Sequence, residues 1–466
     1  MATTPTLKRE LGFVDLLLFY VVSALSVRWV ATAAAAGPST IVVWILAFVA
    51  FFLPLAACVL ELSSRYPGEG GLYVWTQRAF GDFAGFMAAW LYWMSNLSYF
   101  PAILYFGAGS ALFAFGAGAQ RLADNATYYM VFSILWLGAI TVLNVFGLRI
   151  GKWINNVGSI GSWVPILTMI VLAAVAAKRF GSATSFNAAN LVPHPGLKNA
   201  VFWSTIFFAF GGCEAGSFMG DEIKDARKNI PRALIISGVI LVVGYIAGTT
   251  AMLVALPSAQ ISGVGGFVNA FQLLCVRLGM SWLVSFVAIL VAVGCVGGAA
   301  AYLASTSRLP FVAGIDHYLP PAFGRIHPRW HTPYIAIAFY GLAGMIFALL
   351  GQAGTSVRGA YDVLVSMSII TYFIPYAYLF ASMIRLQREP VVPGTIRIPG
   401  GKPVTTVLAL LGLMSTLITI VLSVVPAPEE VNKPLAVVKV VGSSVVLIAV
   451  GVWVFYSGQR RKAAEA

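Results

Sequence analysis

The chain alternates between long apolar segments and short polar segments from one end to the other. Each apolar segment has about 20 residues or more, enough to cross roughly 30 Å of hydrocarbon as a helix. The pattern therefore predicts an all-α membrane protein with twelve transmembrane helices between polar tails at residues 1–10 and 458–466. The predicted spans are residues 12–36, 40–64, 83–115, 126–147, 151–177, 197–222, 231–256, 280–312, 332–350, 358–385, 403–424 and 435–457.

Two of these spans are interrupted in the middle. The first contains SALSVR at residues 23–28, with two serines and an arginine, and the sixth contains the pair Gly211-Gly212. Glycine weakens a helix interior, and irregular backbone at membrane depth is tolerated only where it lines a cavity or is buried in protein. Four spans follow each interruption, which predicts two five-helix repeats of opposite orientation whose broken helices meet near the bilayer midplane. The repeats are residues 11–178 and 197–385, and the last two helices lie within 403–457.

Composition and charge support a membrane protein. Only 10% of the residues are charged, whereas soluble domains carry about 25%. Most of the 29 Lys and Arg residues fall in the segments that are cytoplasmic if the N-terminus is inside. This bias predicts a multi-pass protein of the plasma (inner) membrane with both termini in the cytoplasm, and it attributes the net charge of +13 to topology and lipid contact rather than to nucleic acid.

The residues that carry chemistry do not form an enzyme-like set. The four cysteines lie in apolar segments without metal-ligand spacing, and the four histidines fall in predicted loops. We therefore expect no cofactor and no metal, and we disfavour an intramembrane enzyme, which needs a catalytic constellation at membrane depth. A transporter, a transporter-like sensor and a channel are the remaining classes.

Three polar blocks carry a family resemblance. They are ELSSRYPGEGGLYVWTQRAFGDFAGF, then FFAFGGCEA running into DEIKDARKNIPRAL, and then SRLPFVAGIDHYLPPAFGRIHPRWHTP. In order and spacing they resemble the amino acid–polyamine–organocation transporter superfamily over residues 11 to about 390. Within it, FYVVS, AAAAGP and YFPAILYFGAG are similar to glutamate/γ-aminobutyrate exchangers and plant polyamine uptake carriers.

The resemblance implies a LeuT-type fold of five plus five helices and amino acid transport by alternating access, as a proton-coupled symporter or an exchanger. In the family, carbonyls of the span 6 break hold the substrate amine. Physically, the positive end of the half-helix after the span 1 break suits a carboxylate. The candidate substrate-binding residues are Ser23, Ala24, Leu25, Ser26, Arg28, Asn96, Tyr99, Phe208, Ala209, Phe210, Gly211, Cys213, Tyr372 and Tyr376, with Gly297 and Gly298 as further lining from span 8.

Arg28 is the unusual residue, because a charge inside a membrane helix usually marks function. Three roles stay open: substrate or site electrostatics, pairing with Glu214 as a gate or structural link, and snorkelling to the outer head groups. Plant polyamine carriers have acidic residues where this chain has Val30 and Ala31. That departure favours a carboxylate-bearing substrate over the alternative, a polyamine or other organocation.

The candidate coupling or gating residues are Glu214, Arg28 and Ser162. Glu214 is expected either to cap the inner half-helix of span 6 or to handle protons. Ser162 aligns with a lysine that replaces a sodium ion in some proton-coupled relatives, so H+ coupling, sodium coupling and plain exchange remain alternatives. Cys213 is expected to reshape the side-chain pocket or to pack. The expected partners are an amino acid substrate and the lipid bilayer.

Overall fold

The computed structural model describes residues 6–193, 196–261, 266–351, 357–391, 393–425 and 433–465. Its regular elements in these ranges are helices. They are α1 (Phe13–Ala24), α2 (Val27–Ala35), α3 (Thr40–Ala47), α4 (Leu53–Arg65), α5 (Leu72–Phe80), α6 (Asp82–Ala111), α7 (Ala126–Val145), α8 (Leu148–Phe180), α9 (Ala188–Leu191), α10 (Leu197–Ala209), α11 (Ala226–Ala255), α12 (Gly266–Leu278), α13 (Trp282–Thr306), α14 (Arg308–Ile315), α15 (Tyr334–Gly351), α16 (Val357–Leu386), α17 (Gly401–Ser423) and α18 (Lys433–Glu465).

Ten stretches of the described chain are long and apolar enough to cross a bilayer, and each overlaps one predicted span. They are Phe13–Ala35, Thr40–Arg65, Asp82–Phe115, Ala126–Val145, Leu148–Phe180, Ala226–Ala255, Trp282–Gly314, Ile369–Leu386, Gly401–Ser423 and Val441–Ala463. The chain is therefore a multi-pass helical membrane protein.

The other two predicted spans are shorter helices. The predicted span 332–350 corresponds to α15, whose apolar stretch Tyr334–Leu350 is just below the length of the ten. In the predicted span 197–222, the α-helix α10 ends at Ala209, and only a 3₁₀ segment, Ala215–Glu222, follows.

The helix α6 lies at the centre of the bundle. Its side chains are buried almost without interruption from Ala84 to Ala111, and it packs against α5, α13 and α16. By contrast, α17 and α18 carry many exposed large apolar side chains, such as Val421 and Trp453. Exposed apolar area on this scale suits contact with lipid.

Small residues let α8 and α13 approach each other closely. A Cβ on Gly158 would lie 2.5 Å from the Cα of Gly297, and a Cβ on Gly161 would lie 2.3 Å from the Leu290 carbonyl oxygen. Such close contacts between backbones are typical of packed membrane helices. Gly297 therefore serves helix packing in this structure.

Candidate functional site

The first interruption separates α1 from α2. Leu25 and Ser26 have extended backbone angles between the two helices. Tyr245 of α11 contacts this break: its hydroxyl lies 2.5 Å from the Ala24 carbonyl oxygen and accepts a hydrogen bond from the Ser26 N–H at 3.3 Å. The first N–H groups of α2 have no acceptor within their own helix, so the positive end of α2 faces this region.

The second interruption follows α10. Gly212 has a φ of +109°, which side-chain-bearing residues rarely adopt. A Cβ on Gly211 would lie 2.5 Å from a ring carbon of Tyr372. Glycine is therefore required at Gly212 by the backbone conformation and at Gly211 by the close approach of Tyr372. The Tyr245 hydroxyl also lies 3.1 Å from the Ala209 carbonyl oxygen, so one side chain contacts both interruptions.

A small cavity lies between the two interruptions. The space open to the centre of a water molecule is about 20 Å³, enough for one or two waters. Its walls come from six helices and combine polar and aromatic groups. They are Ser23, Ala24, Trp29, Ser95, Asn96, Tyr99, Phe208, Ala209, Gly211, Tyr302 and Tyr372.

Eight of the fourteen candidate substrate-binding residues selected from the sequence are in these walls. Trp29, Ser95 and Tyr302 were missed. Two of them are neighbours in sequence of residues that were selected, Arg28 and Asn96, which was the available signal. Tyr302 gave no local signal, because its position on α13 comes from helix packing.

Several selected residues lie outside this cavity. Leu25, Ser26 and Ser162 line a second, smaller cavity together with Tyr99. Phe210 is fully buried and packs its ring against aromatic neighbours that include Trp44, 5.2 Å between ring centroids. Cys213 is buried and is not among the residues lining either cavity. Tyr376 also lies outside the lining and contacts Glu214 instead.

Arg28 lies beside the main cavity. Its side chain is only 2% exposed, and its guanidinium carbon is 4.0 Å from the ring centroid of Trp29 and 5.4 Å from that of Tyr99. Attraction between the cation and the two ring faces stabilises the guanidinium in this position. Because both rings line the cavity, the charge lies next to it.

Glu214 is fully buried and surrounded by tyrosine hydroxyls. Its carboxylate accepts hydrogen bonds from Tyr92, from Tyr376 at 2.8 Å and from Tyr372 at 3.3 Å. It also accepts the Gly212 N–H at 3.2 Å, whereas it makes no capping bond to the 3₁₀ segment that it precedes. Three tyrosine hydroxyls and one backbone N–H therefore surround this carboxylate.

The backbone groups on the two sides of the cavity carry partial charges of opposite sign, N–H groups at the start of α2 and carbonyls at the end of α10. At the end of α10, the Phe208 carbonyl accepts the Gly211 N–H at 3.1 Å, and the Ala209 carbonyl lies 3.1 Å from the Tyr245 hydroxyl. A carbonyl oxygen has two lone pairs, so each retains capacity for a second donor. An anion suits the α2 side of the cavity, and a cation suits the α10 side.

Comparison with known proteins gives matches over nearly the whole chain. The sequence model of the amino acid permease family matches residues 11–452. An uncharacterised transporter of Legionella pneumophila is 28% identical over 428 residues, which cover 91% of each chain. A probable agmatine/putrescine antiporter of Lactococcus lactis is 24% identical over 420 residues, 87% of each chain. A glutamate/gamma-aminobutyrate antiporter of the same species is 22% identical over 403 residues, 82% of this chain and 77% of the relative.

Proposed function

The chain belongs to the amino acid permease family, within the amino acid–polyamine–organocation superfamily, and on that premise we propose that it transports amino acids across the plasma membrane by alternating access. The membership confirms the resemblance seen in the sequence. We further propose the LeuT-type arrangement, with α1 to α8 and α10 to α16 as two inverted repeats. The bias of basic residues supports cytoplasmic termini.

The observation that carries this proposal is the cavity between two helix interruptions of opposite polarity. The free N–H groups at the start of α2 are proposed to hold the substrate carboxylate, with Arg28 adding positive charge. The carbonyls at the end of α10 are proposed to hold the ammonium group. Since an amino acid is larger than the one or two waters that this cavity holds, we propose that the side chains around the cavity separate when the substrate enters.

The alternative substrate class is a polyamine, because one relative is a probable agmatine/putrescine antiporter. Binding a polycation calls for carboxylates in the cavity wall. The described wall contains no Asp or Glu, and Glu214 is hydrogen-bonded to tyrosines behind it. The cation Arg28 next to the wall would repel a polycation. A zwitterionic or acidic amino acid therefore fits better.

The same geometry supports a proposal for the coupling of transport. Glu214 touches both the Gly212 backbone and two tyrosines of α16, so gain or loss of a proton there changes contacts across the cavity. We propose that this carboxyl carries the coupling proton if the protein is a symporter. In an exchanger, Glu214 would instead only fix the break in place.

The test is uptake into liposomes that contain the purified protein. The panel comprises glutamate, γ-aminobutyrate, neutral and basic amino acids and putrescine, each with and without a pH gradient. We expect saturable uptake of a carboxylate-bearing substrate by the wild type and its loss in Arg28→Ala. The matched control is Arg277→Ala, which removes another arginine stacked on a ring, 4.3 Å from the Phe180 centroid. Uptake of putrescine alone, or full activity of Arg28→Ala, contradicts the proposal.

A further inference from the structure

A second group of buried charges lies away from the cavity, where α13 passes into α14. Arg308 begins α14 and is 1% exposed. Its Nε and Nη2 groups donate to the two carboxylate oxygens of Glu222 at 2.7 and 2.9 Å. Glu222 ends the 3₁₀ segment Ala215–Glu222 and is 2% exposed. This two-pronged contact makes Glu222 the primary partner of the guanidinium.

Glu69 is a second acid on the same guanidinium. It lies in the loop between α4 and α5 and is 9% exposed. Its Oε2 accepts the Asp221 N–H at 3.0 Å. Its Oε1 lies 3.9 Å from Nε of Arg308, and it accepts no hydrogen bond from any described part of the chain.

The charge balance of this group requires a proton. With both carboxyls ionised, two negative charges face one positive charge in a buried place, and an uncompensated buried charge is strongly unfavourable. Because Glu222 accepts hydrogen bonds from both the Nε and Nη2 groups of the guanidinium, Glu69 is the carboxyl that takes the proton. Burial has the largest effect and raises the pKa of Glu69 well above its usual range, and repulsion from Glu222 raises it further. Arg308 and the Asp221 N–H oppose the shift.

These residues join several separate segments at the end of the bundle where the N-terminal segment lies. The N–H groups of Glu10 and Leu11 donate to the Glu222 carbonyl at 2.9 and 3.1 Å, and the Gly70 N–H donates to the Phe218 carbonyl at 3.1 Å. Close packing adds to this, since a Cβ on Gly220 would lie 2.2 Å from the Pro67 carbonyl oxygen. Glu69, Glu222 and Arg308 thus lie at the centre of the end of the bundle where these segments pack together, which we call the closed end.

We propose that Glu69 is a proton-binding site of this closed end, separate from Glu214. It holds a proton while the loop, the N-terminal segment, the 3₁₀ segment and α14 are packed together, and it releases the proton to water when they separate. The proposal takes from the proposed function only that this end opens. The charged groups facing Glu69 are Glu222 and Asp221 from the 3₁₀ segment and Arg308 from α14.

The pH dependence follows from linkage. The closed form has the raised pKa, and the opened form has the ordinary carboxyl pKa of about 4.3. Closure is therefore fully favoured below the ordinary value and is progressively lost as the pH rises toward the raised value. Between the two, the opening equilibrium increases by up to about tenfold per pH unit.

Hydrogen exchange of the full-length protein tests this without any transport assay. The amides of Leu11, Gly70, Asp221 and Lys224 bond between segments, so they exchange when the end opens. The exchange rates of peptides containing them are compared between the wild type and Glu69→Gln at matched pH from 5 to 8. Dividing the wild-type exchange rate by the Glu69→Gln rate at each pH cancels the intrinsic pH dependence of exchange. We expect the ratio to rise with pH, approaching tenfold per unit, and a flat ratio overturns the proposal.

Two further variants keep the test decisive. Glu222→Gln frees Arg308 for Glu69, which then stays ionised when closed, so the wild-type pH dependence should also disappear. Glu389→Gln removes a partly exposed acid on another loop, and this variant should keep the wild-type pH dependence of exchange. Loss of the dependence in Glu389→Gln, or its retention in Glu222→Gln, also overturns the proposal. A protein that shows the expected exchange but no amino acid uptake would contradict the proposed function alone.

Discussion

A single hydroxyl group, that of Tyr245, contacts the backbone at both helix interruptions. It lies within hydrogen-bonding distance of the Ala24 and Ala209 carbonyls and of the Ser26 N–H. Its ring is stacked on Trp44, 4.4 Å between centroids, which fixes the direction of the hydroxyl. The geometry on which the proposed site depends therefore rests partly on one residue outside the cavity wall.

We predict that Tyr245→Phe impairs transport more than it impairs stability. The change keeps the ring and leaves buried backbone groups without their partner, at roughly 1–3 kcal/mol. The expected result is a several-fold higher KM for uptake with a moderately lower thermal unfolding temperature. Tyr340→Phe is the control, because it removes a buried hydroxyl bonded to the Trp93 carbonyl at 3.0 Å. Equal effects of the two variants on KM would contradict the role of Tyr245.

Glu214 gives a second prediction at this scale. Glu214→Gln keeps the shape of the side chain but removes its charge and its capacity to take a proton. If this carboxyl carries the coupling proton, uptake driven by a pH gradient should be lost, whereas exchange of substrate across the membrane should continue. Radiolabelled counterflow and gradient-driven uptake in the same liposomes separate the two. Gradient-driven uptake that persists in Glu214→Gln would leave the carboxyl a structural role.

At the scale of the element, the ends of α1 and α10 could be predicted because their signal is local. Two serines with an arginine and a glycine pair stand out within apolar segments, and the structure ends α1 at Ala24 and α10 at Ala209. The aromatic residues Trp29, Tyr245 and Tyr302 could not be assigned in this way. Lipid-facing and core-facing positions are both apolar in a membrane, so the hydrophobic pattern does not show which face an aromatic residue occupies.

The glycine pair gives a prediction for the second interruption. Gly212→Ala places a side chain at φ +109° and a Cβ 2.5 Å from the Tyr302 hydroxyl. The backbone strain alone is of order 1–3 kcal/mol, so we expect a clear fall in the thermal unfolding temperature together with loss of uptake. Gly442→Ala in α18 is the control, since its Cβ meets no atom within 4 Å. A Gly212→Ala protein as stable as this control would show that the break relaxes freely.

At the scale of the whole molecule, the two proposed repeats are joined at one end by polar contacts. Arg65 at the end of α4 donates to the carbonyls of Leu386, Glu389 and Pro390 at 2.8, 2.7 and 2.9 Å. These bonds satisfy carbonyls at and beyond the C-terminus of α16, where a cation is favoured. The proposed alternating access requires one end to open while the other closes, so such contacts would set how easily this end separates.

The side chain of Glu389 adds a pH-dependent part to the same junction. Burial raises its pKa, but hydrogen bonds from Tyr66 and Arg78 outweigh that effect, and the pKa is lowered. Because the pKa is lowered, the Glu389 carboxylate stabilises the junction fully above the ordinary carboxyl pKa. This stabilisation is lost as the pH falls through the lowered pKa. The junction is therefore intact at neutral pH, in contrast to the Glu69 site, which favours closure at low pH.

We predict that Arg65→Ala loosens this junction much more than Arg78→Ala does. Arg65 is buried and its loss removes three hydrogen bonds, including those accepted by the Glu389 and Pro390 carbonyls, whereas the Arg78 side chain is 53% exposed in its pair with Glu389. An exposed pair contributes about 0–1 kcal/mol. Limited trypsin digestion measures the difference, because Arg388 and Arg397 are cleavage sites in the segment after α16. Arg65→Ala should be cut there several-fold faster than the wild type and Arg78→Ala at nearly the wild-type rate. Equal rates for the two variants would mean that α4 and α16 are held together by apolar packing alone.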